Sequence, residues 1–158
     1  MSPRNKIVLG LSIASFAAAA AAQDQRPSYG PNVTTAVAKK IAAGVIAECQ
    51  KNSWNVAVAI VDTAGGLVYY ERMEDTQSAS FDIAIMKAKA AATYRRPTRV
   101  FAEGINKGSP ATATLPGVIG SPGGVPIFVG GKIIGAAGVS GVTGDQDEQC
   151  SKAGIAGM

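Results

Sequence analysis

No histidine occurs anywhere in this chain. The commonest metal ligand and the commonest general base are therefore both missing. Serine triads and histidine-based metal sites are excluded in their ordinary forms. The remaining donors to a metal are Tyr69, Tyr70, Tyr94, Met73, Met86, a free cysteine and, weakly, a threonine hydroxyl. Four cations, Lys87, Arg95, Arg96 and Arg99, gather around a segment that ends at Pro97. Arginine forks suit carboxylates, because they donate hydrogen bonds in pairs. A helix end explains Arg95 and Arg96 equally well without a ligand. Asp145, Asp147 and Glu148 could hold a cation through oxygen donors. The simpler reading, adopted here, is that they complement the start of a helix. No residue is assigned a catalytic role, and no metal site is defined.

The densest pattern is PGGVPIFVGGKIIGAAGVSG, residues 122–141, with seven glycines in twenty positions. A phosphate loop needs GxxxxGK followed by Ser or Thr, but Ile133 follows Gly131-Lys132 and Pro126 stands where the first glycine belongs. The dinucleotide pattern GxGxxG fails too, since GAAGVSG spaces its glycines three and three. VPIFV and KIIGAAGV instead read as two strands joined at Gly130-Gly131, a dipeptide suited to a tight hairpin. Gly135 and Gly138 weaken a strand intrinsically. They make sense where another backbone, a helix or a flat ligand comes close.

The ends of the chain bear on its compartment. Residues 1–22 carry Arg4 and Lys6, then a 16-residue apolar stretch from Ile7, and close on Ala20-Ala21-Ala22. That order is a secretory signal, with cleavage expected after Ala22. The stretch is short of the roughly 20 residues that span a bilayer, so stable membrane insertion is not expected. Without the leader, 15 basic residues fall to 13 against 11 acidic, for a net charge of +2. Nucleic-acid binding by bulk charge loses its support. An exported setting, periplasmic or secreted, makes a Cys49–Cys150 disulfide the preferred reading over two buried thiols.

The elements that must position these groups follow from periodicity and punctuation. Residues 23–32 are a polar, proline-punctuated lead-in, expected to be flexible. One domain, 33–158, follows. Val37, Ile41, Val45 and Ile46 recur at helical spacing up to about Asn52, with Asn32 as the expected cap. Residues 55–62 and 67–73 form a hairpin across DTAGG. Ser78 or Ser80 caps a helix over 80–95, with Phe81, Ile85 and Ala88 or Ala92 on one side and Arg95-Arg96 in its last turn. Thr98 caps a short helix. Residues 108–124 form a loop long enough to suggest function. Gly144-Asp145 opens a last helix, with Asp145 and Glu148 spaced as a capping box. This order predicts an α+β domain, an antiparallel sheet of four or five strands with helices packed on it.

At this point the chain resembles the haem-binding DUF336 family, also called haem-degrading. The resemblance rests on VAVAIVDTAGGLVYYERMED, on SFDIAIMKAKAAATYRRPT, and above all on LPGVIGSPGGVPIFVGGKIIGAAGVSG followed by DQDEQ. It implies a PAS- or profilin-like fold, self-association into homo-oligomers, and binding of haem or a related tetrapyrrole. It also implies an iron-ligating threonine ahead of the Pro-Gly motif. Thr112 in SPATATLPG is the nearest match, though a loop threonine commonly just hydrogen-bonds a turn. The expected binding residues are then Thr112, Lys87, Tyr94, Arg95, Arg96, Gly123 and Gly124. Haem would be held by apolar contact, by arginine contacts to propionates, and by a weak oxygen or sulfur ligand.

Two other functions fit the residues: an enzyme acting on a small acid metabolite through the arginines and the glycine-rich loop, or a non-catalytic oligomeric module. An enzyme ranks lower, since no cofactor fingerprint or metal cluster is visible. Export is directly testable. Mass spectrometry of protein from its native host should find a chain beginning near Gln23 outside the cytosol. An intact Met1 form in the cytosol would overturn the leader reading.

Overall fold

The computed structural model describes residues 26–158; the leader and Gln23–Gln25 lie outside them. Strand β1 (Ala57–Val61) is buried along its whole length, because it runs through the middle of a sheet covered on both faces. It pairs antiparallel with β2 (Leu67–Arg72) on one side and with β4 (Lys132–Ser140) on the other. Strand β3 (Gly124–Val129) pairs antiparallel with β4, giving the order β2-β1-β4-β3. Four strands form, at the lower bound of the expectation. Gly130 and Gly131, both at positive φ (57° and 74°), make the β3–β4 turn.

The two sheet faces differ in side-chain size, and that difference seats the helices. On one face Val58, Ile60, Ile127 and Val139 meet α1 (Thr35–Lys51) and α4 (Gly144–Ala156). On the other face Ala57, Ala59 and Ala136 meet Ala84, Ala88, Ala91 and Ala92 of α2 (Ser80–Tyr94). Small residues on both sides let α2 sit almost on the strands. A Cβ at Gly138 would lie 2.1 Å from the Ala84 carbonyl oxygen and 2.4 Å from the Ala88 nitrogen. The close approach expected at this glycine is made by a helix. A short helix, α3 (Arg99–Asn106), and a 3-10 turn (Pro110–Thr114) complete the chain between α2 and β3.

Cys49 of α1 and Cys150 of α4 form a disulfide with Cα atoms 5.8 Å apart. It closes a loop over 101 residues of sequence separation and stabilises by a few kcal/mol in the chain-entropy model.

Several local expectations are corrected. Thr34, not Asn32, caps α1, its hydroxyl accepting from Val37 N–H. The Asn32 side chain instead accepts from the Thr63 hydroxyl at 2.6 Å, steadying the β1–β2 turn. Ser80 is buried against Ser140 at 3.1 Å, and α2 starts with no side-chain cap. Phe81 stands half exposed, because the inward face of α2 is set by Ala84, Lys87, Ala88 and Ala91. Arg95 lies beyond the last turn of α2, as a left-handed C-cap at φ 57°. The capping box of α4 is Thr143 with Gln146, two residues ahead of the expected pair. Residues 27–33 are tied down rather than loose: Gly30 and Ile133 share a backbone hydrogen bond of 2.7 Å, and Tyr29 donates to the Ala92 carbonyl at 3.0 Å.

The small-residue face gives a sharp test. Gly138→Ala should cost about 3 kcal/mol by forcing α2 off the sheet, lowering the melting temperature by roughly 10 °C. Gly130→Asn, at an open left-handed turn position, should change stability by less than about 1 kcal/mol. Thermal unfolding followed by circular dichroism reads both.

Candidate functional site

The expected binding residues separate into an inner and an outer group. Lys87 belongs to the inner group. Its position among alanines on α2 points it into the protein, where its side chain is 2% exposed. Nζ donates to Asp147 Oδ2 at 2.7 Å and to the Val139 carbonyl at 3.1 Å. Asp147, on the first turn of α4 and equally buried, also accepts from Val142 N–H at 3.2 Å. Burial pushes the Lys87 pKa down and the Asp147 pKa up, and in each case the partner's charge opposes the shift. Lone buried charges would neutralise, whereas this pair is held by its mutual hydrogen bond, by the Val139 carbonyl and by the Val142 N–H.

Gly123 and Gly124 cover that pair. Gly123 adopts φ +124°, and a Cβ there would lie 2.9 Å from Lys87 Nζ. The Gly123 carbonyl accepts from Ser151 Oγ at 2.7 Å. Gly124 lies against the Lys87 carbonyl and exchanges two hydrogen bonds with Thr98, both 3.0 Å. Thr98 therefore clamps the start of β3 instead of capping α3 with its side chain. These glycines admit a lysine and a helix backbone, and both are buried.

The outer group surrounds the end of α2. The Tyr94 hydroxyl donates to the Pro116 carbonyl at 2.8 Å, and its ring meets Phe101 of α3 edge-on at 5.3 Å. The 108–122 loop is thus pinned to Tyr94 at Pro116. Arg95 donates to the Pro27 carbonyl at 3.3 Å and lies 5.4 Å from the centre of the Tyr29 ring. Thr112, half buried on the 3-10 turn, packs toward Gly104 of α3, and its carbonyl accepts from Leu115 N–H at 3.5 Å. Leu115 of the loop and Val100 of α3 are exposed apolar residues.

The expected four-cation cluster does not form. Lys87 faces inward, and Arg99 turns to α4, where it meets Asp145 at 2.5 Å and Glu148 at 2.7 Å. Those hydrogen bonds, led by the one to Asp145, raise the Arg99 pKa above its ordinary value. The carboxylates expected to complement a helix start are ion-pair partners for two other elements. Between α3, Ser121, Pro122 and Gly144 lies an open polar cleft of about 320 Å³, with Arg99 in its wall. Among the described residues no group of three or more acids or cysteines could hold a metal, and no helix is long and apolar enough to cross a membrane.

The Lys87–Asp147 pair was missed from sequence. Its signal was the stripe Ser80, Ala84, Lys87, Ala91, which puts a lysine on the small-residue face of α2.

This geometry can be set against known proteins. The profile of the family described as "Haem degrading protein HbpS-like" matches residues 33–156. The chain belongs to the HbpS-like family. Protein GlcG of Escherichia coli K12 is 42% identical over 108 residues, covering 66% of this chain and 81% of GlcG. The crystal structure of a double mutant of HbpS from Streptomyces reticuli superposes with a TM-score of 0.75 at 30% identity, covering 89% of this chain and 96% of that one. The PduOC–haem complex, at 23% identity and a TM-score of 0.73, covers 80% of this chain and 95% of its own; that likeness is one of fold. The four helices and four-stranded antiparallel sheet are those of HbpS-like proteins.

The inner group carries its own prediction. Lys87→Met leaves Asp147 buried without a counter-charge and should cost about 3–5 kcal/mol at pH 7. A carboxyl with a raised folded pKa favours the fold at low pH and loses that contribution as pH rises through the folded pKa. The deficit against the parent should therefore shrink toward pH 4, near the unfolded carboxyl pKa. Lys87→Met combined with Asp147→Leu should recover most of the loss. Urea titrations at the two pH values decide it; a deficit that grows on acidification contradicts the assignment.

Proposed function

We propose that this protein is an exported binder of haem or a related tetrapyrrole, held on the surface where the end of α2 meets the 108–122 loop. The observation that carries the reading is the HbpS-like match over residues 33–156. It is supported by Tyr94, next in sequence to the arginine pair, because its hydroxyl holds the 108–122 loop at Pro116.

The residues present fit such a group in a particular way. With no histidine, a strong axial nitrogen ligand is absent. The cleft of about 320 Å³ lies at the small end of ligand pockets and is polar, so an apolar macrocycle belongs on the neighbouring surface. Exposed Leu115 and Val100 can offer apolar contact, Arg95 and Arg96 suit the two propionates, and Thr112 is the nearest match to the iron-ligating threonine that the family resemblance implies. Bound haem supplies an iron centre and a strong chromophore; the chain supplies orientation and charge. Arg95 already touches Pro27 and Tyr29, so it must exchange those contacts to meet a propionate, and modest affinity follows.

Hemin added to the purified protein should give a saturable Soret band at micromolar concentrations. Thr112→Ala should move the band, while Arg95→Ala and Arg96→Ala should each weaken binding several-fold without moving it. Three variants that bind as the parent does would reject this site, and no band at all would reject the ligand class.

A further inference from the structure

The open polar cleft beside α3 is built from groups that the haem reading does not use. Arg99, Glu103 and Asn106 stand at i, i+4 and i+7 of α3, so they share one face of that helix and line the cleft together. Ser121, Pro122 and Asp145 are among the residues that complete it, around a volume of about 320 Å³. That space suits a molecule the size of an amino acid rather than a macrocycle. The charged groups of the lining are one cation, Arg99, and two carboxylates, Glu103 and Asp145.

The two ion pairs of Arg99 differ in how firmly they are held. Glu148 is 3% exposed and is also met by Lys152, so its bond to Arg99 Nε belongs to the frame. Asp145 is 79% exposed, and its pair with Arg99 Nη2 faces water. Such an exposed pair contributes little. An incoming carboxylate can therefore take the place of Asp145 on the guanidinium, whose fork favours paired hydrogen bonds. Glu103 has only Lys107 near it, at 3.9 Å, and that lysine is itself well exposed. The Asn106 side chain makes no hydrogen bond with a described residue, and the Ser121 hydroxyl only a long one of 3.5 Å to the Pro122 carbonyl. The cleft thus holds donors and acceptors that its own neighbours leave unmet.

A simple anion would reach Arg99 but face two carboxylates. A simple cation would meet the carboxylates but face Arg99. A molecule that carries both charges side by side satisfies the whole lining. We propose that this cleft binds a small α-amino acid, its carboxylate on Arg99 and its ammonium group between Glu103 and the released Asp145. The Asn106 amide and the Ser121 hydroxyl complete its polar contacts, and the Pro122 ring offers the side chain a small apolar surface. The site is open to solvent and screened by salt, so its dissociation constant is on the order of 1 mM.

L-valine, isovalerate and isobutylamine share one side chain and separate the two charges. Isovalerate lacks the ammonium group, and isobutylamine lacks the carboxylate. Each is titrated to roughly 50 mM at constant ionic strength, and amide NMR shifts are followed. L-valine should shift the amides of residues 99–106, Ser121 and Asp145 saturably. Isovalerate and isobutylamine should each bind at least about tenfold more weakly. Glu103→Gln should weaken L-valine about fivefold. Glu103→Gln combined with Asp145→Asn leaves Arg99 as the one charge in the lining, and the preference should reverse, isovalerate then binding more tightly than L-valine. Both positions are exposed, so circular dichroism should show the fold intact, and the ranking of the three probes on the parent protein needs no variant. No saturable shift, equal affinity for all three probes, a Glu103→Gln protein that binds as the parent does, or an unreversed preference would each overturn the proposal. Hemin is absent throughout, so failure here is separable from failure of the haem reading.

Discussion

Two charges, Lys87 and Asp147, lie 2.7 Å apart with almost no exposure to solvent. Taking them out of water costs several kcal/mol per ion, recovered only if every remaining donor and acceptor is met in good geometry. That requirement ties α2, β4, the β4–α4 turn and Gly123 to one another, because each supplies part of the pair's surroundings. A lysine stem can reach Asp147 only if α2 lies close to the sheet. The alanine face of β1 and the bare backbone of Gly138 provide that closeness. Replacing the pair with apolar residues could leave the fold equally stable; removing one member could not.

The next residue along α4 carries the arrangement outward. Asp147 faces in toward α2, while Glu148 turns to Arg99 of α3 and to Lys152. One helical turn thus fixes two neighbouring helices, and the disulfide from Cys150 to Cys49 anchors that turn to α1. Around this frame the chain from 108 to 122 is held by Ser109 N–H on the Gly104 carbonyl and by the Tyr94 hydroxyl on the Pro116 carbonyl, with the clamp of Thr98 on Gly124 just beyond it. The sequence order of the two groups follows from helix geometry. Lys87 lies two turns before Tyr94, so one helix serves the core at its middle and the loop at its end.

Repetitive periodicity and punctuation made the architecture legible. The β1–β2 hairpin, the Gly130-Gly131 turn, and helices ending near Asn52 and Pro97 followed from residue spacing and turn chemistry alone. Caps were harder to read, because Ser, Thr, Asn and Asp can serve several nearby positions. Asn32 and Thr98 each found a tertiary partner that outcompeted the local one. The four cations near Pro97 looked like one cluster because sequence proximity hides direction. On α2 a step from Lys87 to Arg95 changes the depth of the side chain as well as its face. Gly123 and Gly124 were expected to bind a ligand, but what approaches them, an ammonium group and a helix backbone, depends on a lysine whose burial no local rule announces.

The most direct measurement is an amide NMR map of the protein titrated with zinc protoporphyrin, a diamagnetic stand-in for haem. The account predicts shifts concentrated at Arg95, Arg96, Val100, Thr112 and the 115–119 stretch, with the amides of Lys87, Gly123 and Asp147 nearly unmoved. Shifts centred instead on the far side of the sheet, around Glu71 to Asp75, or no shifts at saturating ligand, would contradict it.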